Sequence, residues 1–312
     1  MSALLFPGQG SQVVGMGSEF YNNFDIVKKI FKEADEKLNY SISKLILNGP
    51  DGQLQLTQNT QPSILTVSFS IFKVLKEEFN FDFDTFNYFA GHSLGEYSAL
   101  VCSESLKFVD AIYLLHERGK AMQEAVPIGQ GIMLAILGAK INDIQDLLNS
   151  FKDKGVCEIA NDNAEGQVIV SGDKNSVTSF KSLLKEKKIK SIPLKVSAPF
   201  HCSLMKPAAD KMRDKINNIN FQKPKHSILS NVTAKIEKNP ESIKKLLIDQ
   251  IFSTVKWRET IINISKEGVS NFIEIGPGKV LTGMVKRTVK NTNCFSINSL
   301  DDIKNIKNEL KR

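Results

Sequence analysis

The chain has 312 residues, of which 41% are hydrophobic and 24% charged, with a formal net charge of +7. These values are ordinary for a globular protein with one large or two smaller domains. The basic excess consists of lysines scattered along predicted helices, and no basic stripe is interleaved with aromatic residues, so nucleic-acid binding is disfavoured. The lysines indicate either a solvated surface or attraction to an acidic partner.

The N-terminal segment and the cysteines bear on the compartment. Residues 1–7 are apolar but lack a basic n-region and are too short for a signal peptide. No window approaches the roughly 18 uninterrupted apolar residues of a transmembrane helix. The four cysteines show no paired spacing, and no Cys/His cluster is typical of a metal site. We therefore expect free thiols in a reducing cytosol, no membrane segment and no bound metal.

The first predicted elements are a short buried strand at Leu4–Phe6 and a flexible loop at Gly8–Gln12. The loop is neither a dinucleotide-binding fingerprint nor a P-loop, since a third glycine and a Gly-Lys-Ser/Thr sequence are both missing. An apolar stripe at helical spacing predicts a helix over 17–38. A second helix is expected to begin at Thr60 as N-cap, with Pro62 in its first turn, and to run to about residue 79.

A strand–serine–helix junction is predicted next. Gly91-His92-Ser93-Leu94-Gly95 has the G-x-S-x-G pattern, and it follows an apolar segment and precedes a helical one. Such a nucleophile elbow exposes the serine hydroxyl at the carboxyl end of a sheet, and the glycines let strand and helix pass closely. The pattern is short enough to occur by chance. Ser93-x-x-Glu96 is also a capping box, in which Ser93 is simply an N-cap.

In residues 129–193 the predicted elements follow a different order. Their predicted order is strand, helix, strand, strand, helix, strand, which is the ferredoxin-like βαββαβ unit. The predicted elements are Ile132–Leu137, Ile141–Lys152, Val156–Ala160, Gln167–Val170, Ser176–Lys187 and Ile189–Leu194, with a loop over 161–166. We interpret 128–195 as a small domain inserted into a discontinuous larger domain formed by 1–127 and 196–312.

The larger domain alternates helices with short apolar strands. Beyond the elements above, strands are predicted at Ser227–Ser230, Asn271–Ile275 and Cys294–Ile297, and helices over 105–124, 203–216, 241–251, 257–267, 278–289 and 300–310. This alternation predicts the α/β class, with a mainly parallel sheet covered by helices on both faces.

A serine nucleophile needs a base, usually histidine, and the chain has four histidines. His201 is the strongest candidate, because its loop joins the small domain back to the large one, where clefts form. His92 adjoins Ser93 on the elbow and is expected to point away from it. His116 lies within a predicted helix, and His226 is expected at an exposed strand entry. No aspartate on a convincing strand-end loop completes a triad, and a backbone carbonyl is an alternative orienting group.

Arg118 lies on a helical stripe with Ala111, Leu114, Ala121 and Ala125, so we expect it to be at least partly buried. A buried guanidinium needs an anionic partner that matches its fork geometry. That partner is either a ligand or a local carboxylate in a structural ion pair, and snorkelling to water is a further alternative.

Five motifs in chain order together resemble one family, the malonyl-CoA:acyl carrier protein transacylases of type II fatty acid synthesis. They are Phe6-Pro7-Gly8-Gln9-Gly10-Ser11-Gln12, Gly91-His92-Ser93-Leu94-Gly95-Glu96, Arg118-Gly119, Pro199-Phe200-His201 and Glu274-Ile275-Gly276-Pro277-Gly278. Each motif alone is unspecific, but the set spans nearly the whole chain. The resemblance implies an α/β-hydrolase-like domain with a ferredoxin-like insertion.

The resemblance also implies an activity: a malonyl group passes from malonyl-CoA to serine and then to the phosphopantetheine thiol of acyl carrier protein. The implied site residues are Ser93 as nucleophile, His201 as general base, the main-chain carbonyl of Gln250 as its orienting group, the N–H groups of Gln9 and Leu94 as oxyanion hole, and Arg118 as ligand of the malonyl carboxylate. No metal or bound redox cofactor is implied. We expect a cytoplasmic monomer that meets its carrier protein transiently, through charge.

Two alternatives stay open at this point. A serine esterase or thioesterase on the same fold would share Ser93 and His201, although Arg118 argues against an apolar acyl pocket. A non-catalytic subunit that binds carrier protein through its lysines would not need Ser93, His201 and Arg118 together.

Overall fold

The structure, a computed structural model, describes residues 1–152, 155–194, 196 and 198–310. Its strands are β1 (Ser2–Phe6), β2 (Tyr88–Gly91), β3 (Gly131–Leu137), β4 (Cys157–Ala164), β5 (Gln167–Asp173), β6 (Lys190–Pro193), β7 (Ser227–Leu229), β8 (Ile236–Glu237), β9 (Asn271–Ile275) and β10 (Asn293–Ile297). Within these residues, no helix combines the length and the apolar character that crossing a membrane requires.

The helices of the described residues account for most of the rest of the chain. They are α1 (Ser18–Asn23), α2 (Asp25–Leu38), α3 (Ile42–Asn48), α4 (Asp51–Leu54), α5 (Thr57–Glu77), α6 (Gly95–Cys102), α7 (Phe108–Glu124), α8 (Ile141–Ser150), α9 (Lys174–Glu186), α10 (Lys206–Asn217), α11 (Pro240–Gln250), α12 (Trp257–Lys266), α13 (Val280–Thr288) and α14 (Leu300–Leu310). The predicted α/β class is confirmed.

The larger sheet has the strand order β10-β9-β1-β2-β7-β8. Every neighbouring pair is parallel except β7 with β8, so the prediction of a mainly parallel sheet is also confirmed. Successive side chains of a strand point to opposite faces, so β1 contributes side chains to two hydrophobic cores. Leu4 and Phe6 pack into one core, and Ala3 and Leu5 pack into the other, against α12 and α13.

The smaller sheet has the order β4-β5-β3-β6, and all its neighbouring strands are antiparallel. Its elements occur in the chain as strand, helix, strand, strand, helix, strand. Leu134, Ile136, Val168 and Val170 form a separate core with Phe180 of α9. This smaller unit thus buries one apolar face in a core of its own, and Met133, Ala135 and Ile169 on the other face belong to the core that also contains Leu4 and Phe6.

The helix predicted over 17–38 is interrupted, which corrects the prediction. Phe24 has an extended backbone, with φ −132° and ψ 124°, and it separates α1 from α2. Its ring contacts those of Phe20 and Phe79, with centroid distances of 6.4 Å and 6.0 Å. The apolar stripe is therefore retained, but it is divided between two helices, α1 and α2, that Phe24 separates.

The start of α5 also differs from the prediction. Pro62 lies inside the helix, and the Thr60 hydroxyl donates to carbonyls of the preceding turn instead of capping. Proline has no N–H for the carbonyl four residues earlier, which is that of Gln58. His116 Nδ1 donates to this carbonyl at 3.1 Å. The freed acceptor is thus satisfied from α7, and the helix continues upstream of the proline.

Strand β4 extends through most of the predicted loop 161–166. Its polar residues are buried but hydrogen-bonded: Arg258 Nε donates to both carboxylate oxygens of Asp162, at 2.9 and 3.0 Å, and Asn163 bonds His92. The polar sequence indicated a loop because these partners are remote in the chain. Elements α3, α4 and β8 were not predicted, and the other predicted elements end within a few residues of those observed.

Candidate active site

Ser93 lies between β2 and α6, at the carboxyl end of the parallel sheet. Its φ of 53° is in the left-handed region, which is unfavourable for a side chain other than glycine and is typical of strained functional positions. A Cβ at Gly91 would lie 1.9 Å from the carbonyl of Gly95, and one at Gly95 would lie 2.3 Å from the Phe6 oxygen. Both glycines are therefore required by the close passage of α6 over β1 and β2.

The capping box considered as an alternative for Ser93 and Glu96 is not formed. Helix α6 begins after Leu94 without a side-chain cap. The N–H of Ser93 donates instead to Asn231 Oδ1 at 2.7 Å. The carboxylate of Glu96 accepts from the N–H of Asn231 and from Gln250 Nε2. The Ser93 hydroxyl therefore does not cap α6.

The structure brings His201 to Ser93. The distance from Ser93 Oγ to His201 Nε2 is 2.8 Å, and that from His201 Nδ1 to the Gln250 main-chain oxygen is also 2.8 Å. A carbonyl can only accept, so Nδ1 carries the proton and Nε2 presents its lone pair to the hydroxyl. The structure thus places a carbonyl where a conventional triad has a carboxylate.

The other three histidines lie elsewhere. His92 points away from the serine and bonds Asn163 of β4, with 2.8 Å between Nε2 and Oδ1. His116 donates to the Gln58 carbonyl in α5. His226 was expected to be exposed but is buried, since its ring stacks on Phe89 with 4.0 Å between centroids.

Arg118 is 1% exposed and lies beside the serine. Nη1 donates to Gln61 Oε1 at 2.7 Å, and Nη2 donates to Gln250 Oε1 at 2.8 Å and to Ser93 Oγ at 3.1 Å. No salt bridge to Arg118 is found within the described part of the chain, so the structural ion pair considered from the sequence is not formed there. Neutral amides hold the guanidinium, and its charge is left to attract an anionic ligand.

The protonation of His201 follows from its surroundings. Burial, together with the positive charge of Arg118, lowers the pKa of His201 to about 3, although the Gln250 carbonyl opposes the shift. Burial also lowers the pKa of Arg118, with the nearby Tyr97 and Glu96 acting in the opposite direction. At neutral pH the imidazole is therefore uncharged and able to accept a proton.

A cavity of about 710 Å³ opens over these side chains, between the two sheets. The larger unit lines it with Ser93, Arg118 and His201, and the smaller one with residues such as Met133 and Ile169. A site with polar groups converging in a partly apolar cavity suits a small-molecule ligand.

Gln9 and Leu94 line the same cavity. Among the described residues, no hydrogen-bond acceptor is found for the backbone N–H of either one. Leu94 directly precedes α6, where the first N–H groups of a helix have no partner within it. Gln9 lies in the loop after β1. Two unpaired N–H donors in the lining of a cavity that also contains a serine can stabilise a negatively charged oxygen.

Comparison with known proteins shows the family to which the chain belongs. Residues 3–309 match the family model described as the acyl transferase domain. The chain belongs to the acyltransferase family. A Bacillus subtilis malonyl CoA-acyl carrier protein transacylase is 42% identical over 303 residues, covering 96% of this chain and 94% of the relative.

Solved structures of the family superpose on all or nearly all of the chain. The acyl-carrier-protein S-malonyltransferase of Bartonella henselae has a TM-score of 0.95 and 37% identity, covering 100% of this chain and 99% of the other. A malonyl-transacylase in complex with a type II polyketide acyl-carrier protein has a TM-score of 0.94 and 39% identity, covering 98% of this chain and 99% of its own.

The site of this acyltransferase also contains polar residues that the sequence did not reveal. Gln61 and the side chain of Gln250 hold Arg118, and Asn231 holds the backbone of Ser93. Asn231 follows β7, the parallel neighbour of β2, so its place at the same sheet edge as Ser93 was a usable signal. Gln61 and the Gln250 side chain gave no comparable signal.

Proposed function

We propose that this chain transfers a malonyl group from malonyl-CoA to the phosphopantetheine thiol of acyl carrier protein, through a malonyl-Ser93 intermediate. The observation that carries the proposal is Arg118, a buried cation held by neutral amides with its Nη2 3.1 Å from Ser93 Oγ. A serine activated for acylation and a fixed cation beside it suit an acyl group that ends in a carboxylate. The names of the relatives, malonyl transferases, support the same substrate.

In the first half-reaction, His201 Nε2 takes the proton of Ser93, and Oγ attacks the thioester carbonyl carbon. The Gln250 carbonyl keeps Nδ1 protonated and the imidazole oriented throughout. The N–H groups of Gln9 and Leu94 stabilise the tetrahedral oxyanion. The carbon–sulfur bond then breaks, and the coenzyme A sulfur leaves as a thiol with the proton from His201.

In the second half-reaction, the pantetheine thiol attacks the malonyl ester, and His201 accepts its proton. Collapse of the second tetrahedral intermediate returns that proton to Ser93 Oγ and releases the malonyl thioester. Acid–base and oxyanion chemistry suffice for both steps, so the proposed reaction uses neither a metal nor a redox cofactor. The solved complex of a related transacylase with its carrier protein supports carrier protein as the acceptor.

Selectivity in this scheme comes from Arg118. A bidentate, charge-assisted contact with a carboxylate contributes about 1.5–3 kcal/mol. An acetyl group makes no such contact and leaves the buried guanidinium without an anion.

The experiment that tests the proposal is single-turnover acylation followed by intact mass. The protein should form a malonyl adduct with malonyl-CoA, and the Ser93→Ala variant should form none. The adduct should be discharged by pantetheine or holo-carrier protein faster than by water. Discharge by water alone would identify the thioesterase alternative, and failure to acylate with any acyl-CoA would favour the non-catalytic one.

We further propose that the larger unit is an α/β-hydrolase-like domain and that 128–195 is a ferredoxin-like insertion in it. The strand order β4-β5-β3-β6 and the alternation of elements in that segment support this division. Residue 195, at the proposed boundary, lies outside the described residues. The monomeric state and the cytoplasmic location stay predictions.

A further inference from the structure

Glu96 is a buried carboxylate that the proposed reaction does not use. It is 3% exposed and lies in the first turn of α6, three residues after Ser93. Within the described ranges it takes part in no salt bridge. Burial raises the pKa of Glu96 to about 7 against the effect of its hydrogen bonds and of Arg118. Burying a carboxyl group costs free energy unless hydrogen bonds compensate for it, so the partners of Glu96 are informative.

One oxygen of Glu96 has two donors. Its Oε2 accepts from the backbone N–H of Asn231 at 3.0 Å and from Gln250 Nε2 at 2.7 Å. An oxygen that accepts two N–H groups is the unprotonated one, whether the carboxyl group as a whole is ionised or neutral. The arrangement therefore needs the acceptor oxygen rather than the negative charge.

Both donors hold functional residues in turn. Asn231 accepts the N–H of Ser93 at 2.7 Å and donates to the Gly91 carbonyl at 2.8 Å, which bridges the two sides of the elbow. Gln250 accepts from Arg118 through its side-chain oxygen and from His201 through its main-chain oxygen.

The orientation of the Gln250 amide is the decisive point. The terminal torsion of a glutamine is broad, with two orientations related by a flip of the amide. With Nε2 bonded to Glu96, Oε1 faces Arg118 and accepts from Nη2. In the flipped orientation, an N–H donor would face the guanidinium, which has only donors. Two acceptors exclude that orientation, because both require a donor: Glu96 Oε2, to which Nε2 donates at 2.7 Å, and the Ser93 main-chain oxygen, to which it donates at 3.0 Å. Glu96 makes the shorter contact of the two.

We propose that Glu96 is a positioning residue for acyl selectivity: its Oε2 fixes the Gln250 amide so that Arg118 is held where the malonyl carboxylate binds. The inference rests on the proposed function and deepens it. Glu96 touches no reacting atom and acts through Gln250.

The test measures the rates at which malonyl-CoA and acetyl-CoA acylate Ser93, and takes their ratio. In Glu96→Ala the ratio should fall about tenfold or more, the scale of one lost charge-assisted hydrogen bond. Glu96→Gln supplies one carbonyl oxygen and should keep the ratio within about twofold of wild type. Gln250→Met keeps the main-chain carbonyl on His201 but removes Oε1, and its ratio should fall as in Glu96→Ala.

Glu274→Ala is the matched control. Glu274 is also a buried carboxylate that accepts two N–H groups, those of Leu281 and Thr282, at 3.1 and 2.8 Å. Its replacement should lower the thermal unfolding temperature without changing the ratio. Thermal unfolding of all variants separates loss of stability from loss of selectivity.

The inference is overturned if Glu96→Ala or Gln250→Met keeps the wild-type ratio, or if Glu96→Gln loses it to the same extent as Glu96→Ala. If Glu96→Ala does not fold, Glu96→Gln and Gln250→Met decide between these results. Wild-type protein in the same assay tests the proposed function separately, since a chain that prefers acetyl-CoA or is not acylated contradicts that proposal itself.

Discussion

Arg118 Nη2 lies 3.1 Å from Ser93 Oγ, and both groups are buried. A fixed cation at hydrogen-bond distance from the proposed nucleophile restricts which acyl groups suit the site. Once the serine is acylated, a carboxylate at the end of a short acyl chain can meet the guanidinium. The charge is then neutralised inside the protein, where attraction between opposite charges is stronger than in water.

Replacement of Arg118 by alanine should therefore change selectivity rather than acylation as such. Malonyl transfer should fall about 10- to 150-fold, which corresponds to the loss of about 1.5–3 kcal/mol of charge-assisted binding. Acetyl transfer should be retained or should rise, because no unpaired guanidinium is left in the cavity. Steady-state kcat/KM values with both thioesters measure the change.

Arg213→Ala is the control for this substitution, since Arg213 is half exposed on α10 and pairs with Asp210. It should leave both activities unchanged. An equal fall of malonyl and acetyl transfer in Arg118→Ala would contradict the assigned role and would indicate that Arg118 supports the serine instead.

The pH dependence of acylation tests the surroundings of His201. A base is active when unprotonated, and burial with the charge of Arg118 lowers its pKa to about 3. The kcat/KM for malonyl-CoA should thus stay level from about pH 8 down to about pH 5, where a histidine of ordinary pKa would already have lost about thirtyfold. Rapid-quench measurement of the Ser93 adduct across this range gives the profile.

The comparison is the pH dependence of acylation of the Arg118→Ala variant by acetyl-CoA. Without the cation, the protonated imidazole is less unfavourable, so the pKa of His201 rises and the acidic limb moves to higher pH. A limb near pH 6.5 in the wild-type protein would show that the histidine is not shifted as its burial implies.

The sequence predicted the residues that local patterns define. Ser93 was found from its flanking glycines and the change from strand to helix, and His201 from its loop between two units. The residues around Arg118 could not be found in this way. Gln61 and the Gln250 side chain are polar residues without a periodic pattern, and they meet Arg118 only when helices far apart in the chain pack together. For Asn231 the only signal was its place after β7, the parallel neighbour of β2.

The same limit explains the errors in the fold. Asp162 and Asn163 indicated a loop, because the sequence does not show that Arg258 and His92 satisfy them within the strand. Pro62 indicated a helix start, because the donation from His116 that allows an earlier start comes from α7. In each case a remote partner reverses a local preference.

The elbow glycines allow a test of the site's architecture that does not depend on the substrate. A methyl group at Gly91 would lie 1.9 Å from the Gly95 carbonyl, and both atoms belong to backbone that the parallel sheet and α6 hold in place. Gly91→Ala should lower the free energy of unfolding by about 3 kcal/mol or more, as overpacking against backbone does.

Gly283→Ala is the matched control, because a Cβ there meets nothing within 4 Å and the residue lies inside α13. Alanine should stabilise that helix by about 0.5–1 kcal/mol. Urea unfolding of both variants gives the two free energies. If Gly91→Ala proved as stable as wild type, β2 and α6 would not pass as closely as the position of Ser93 requires.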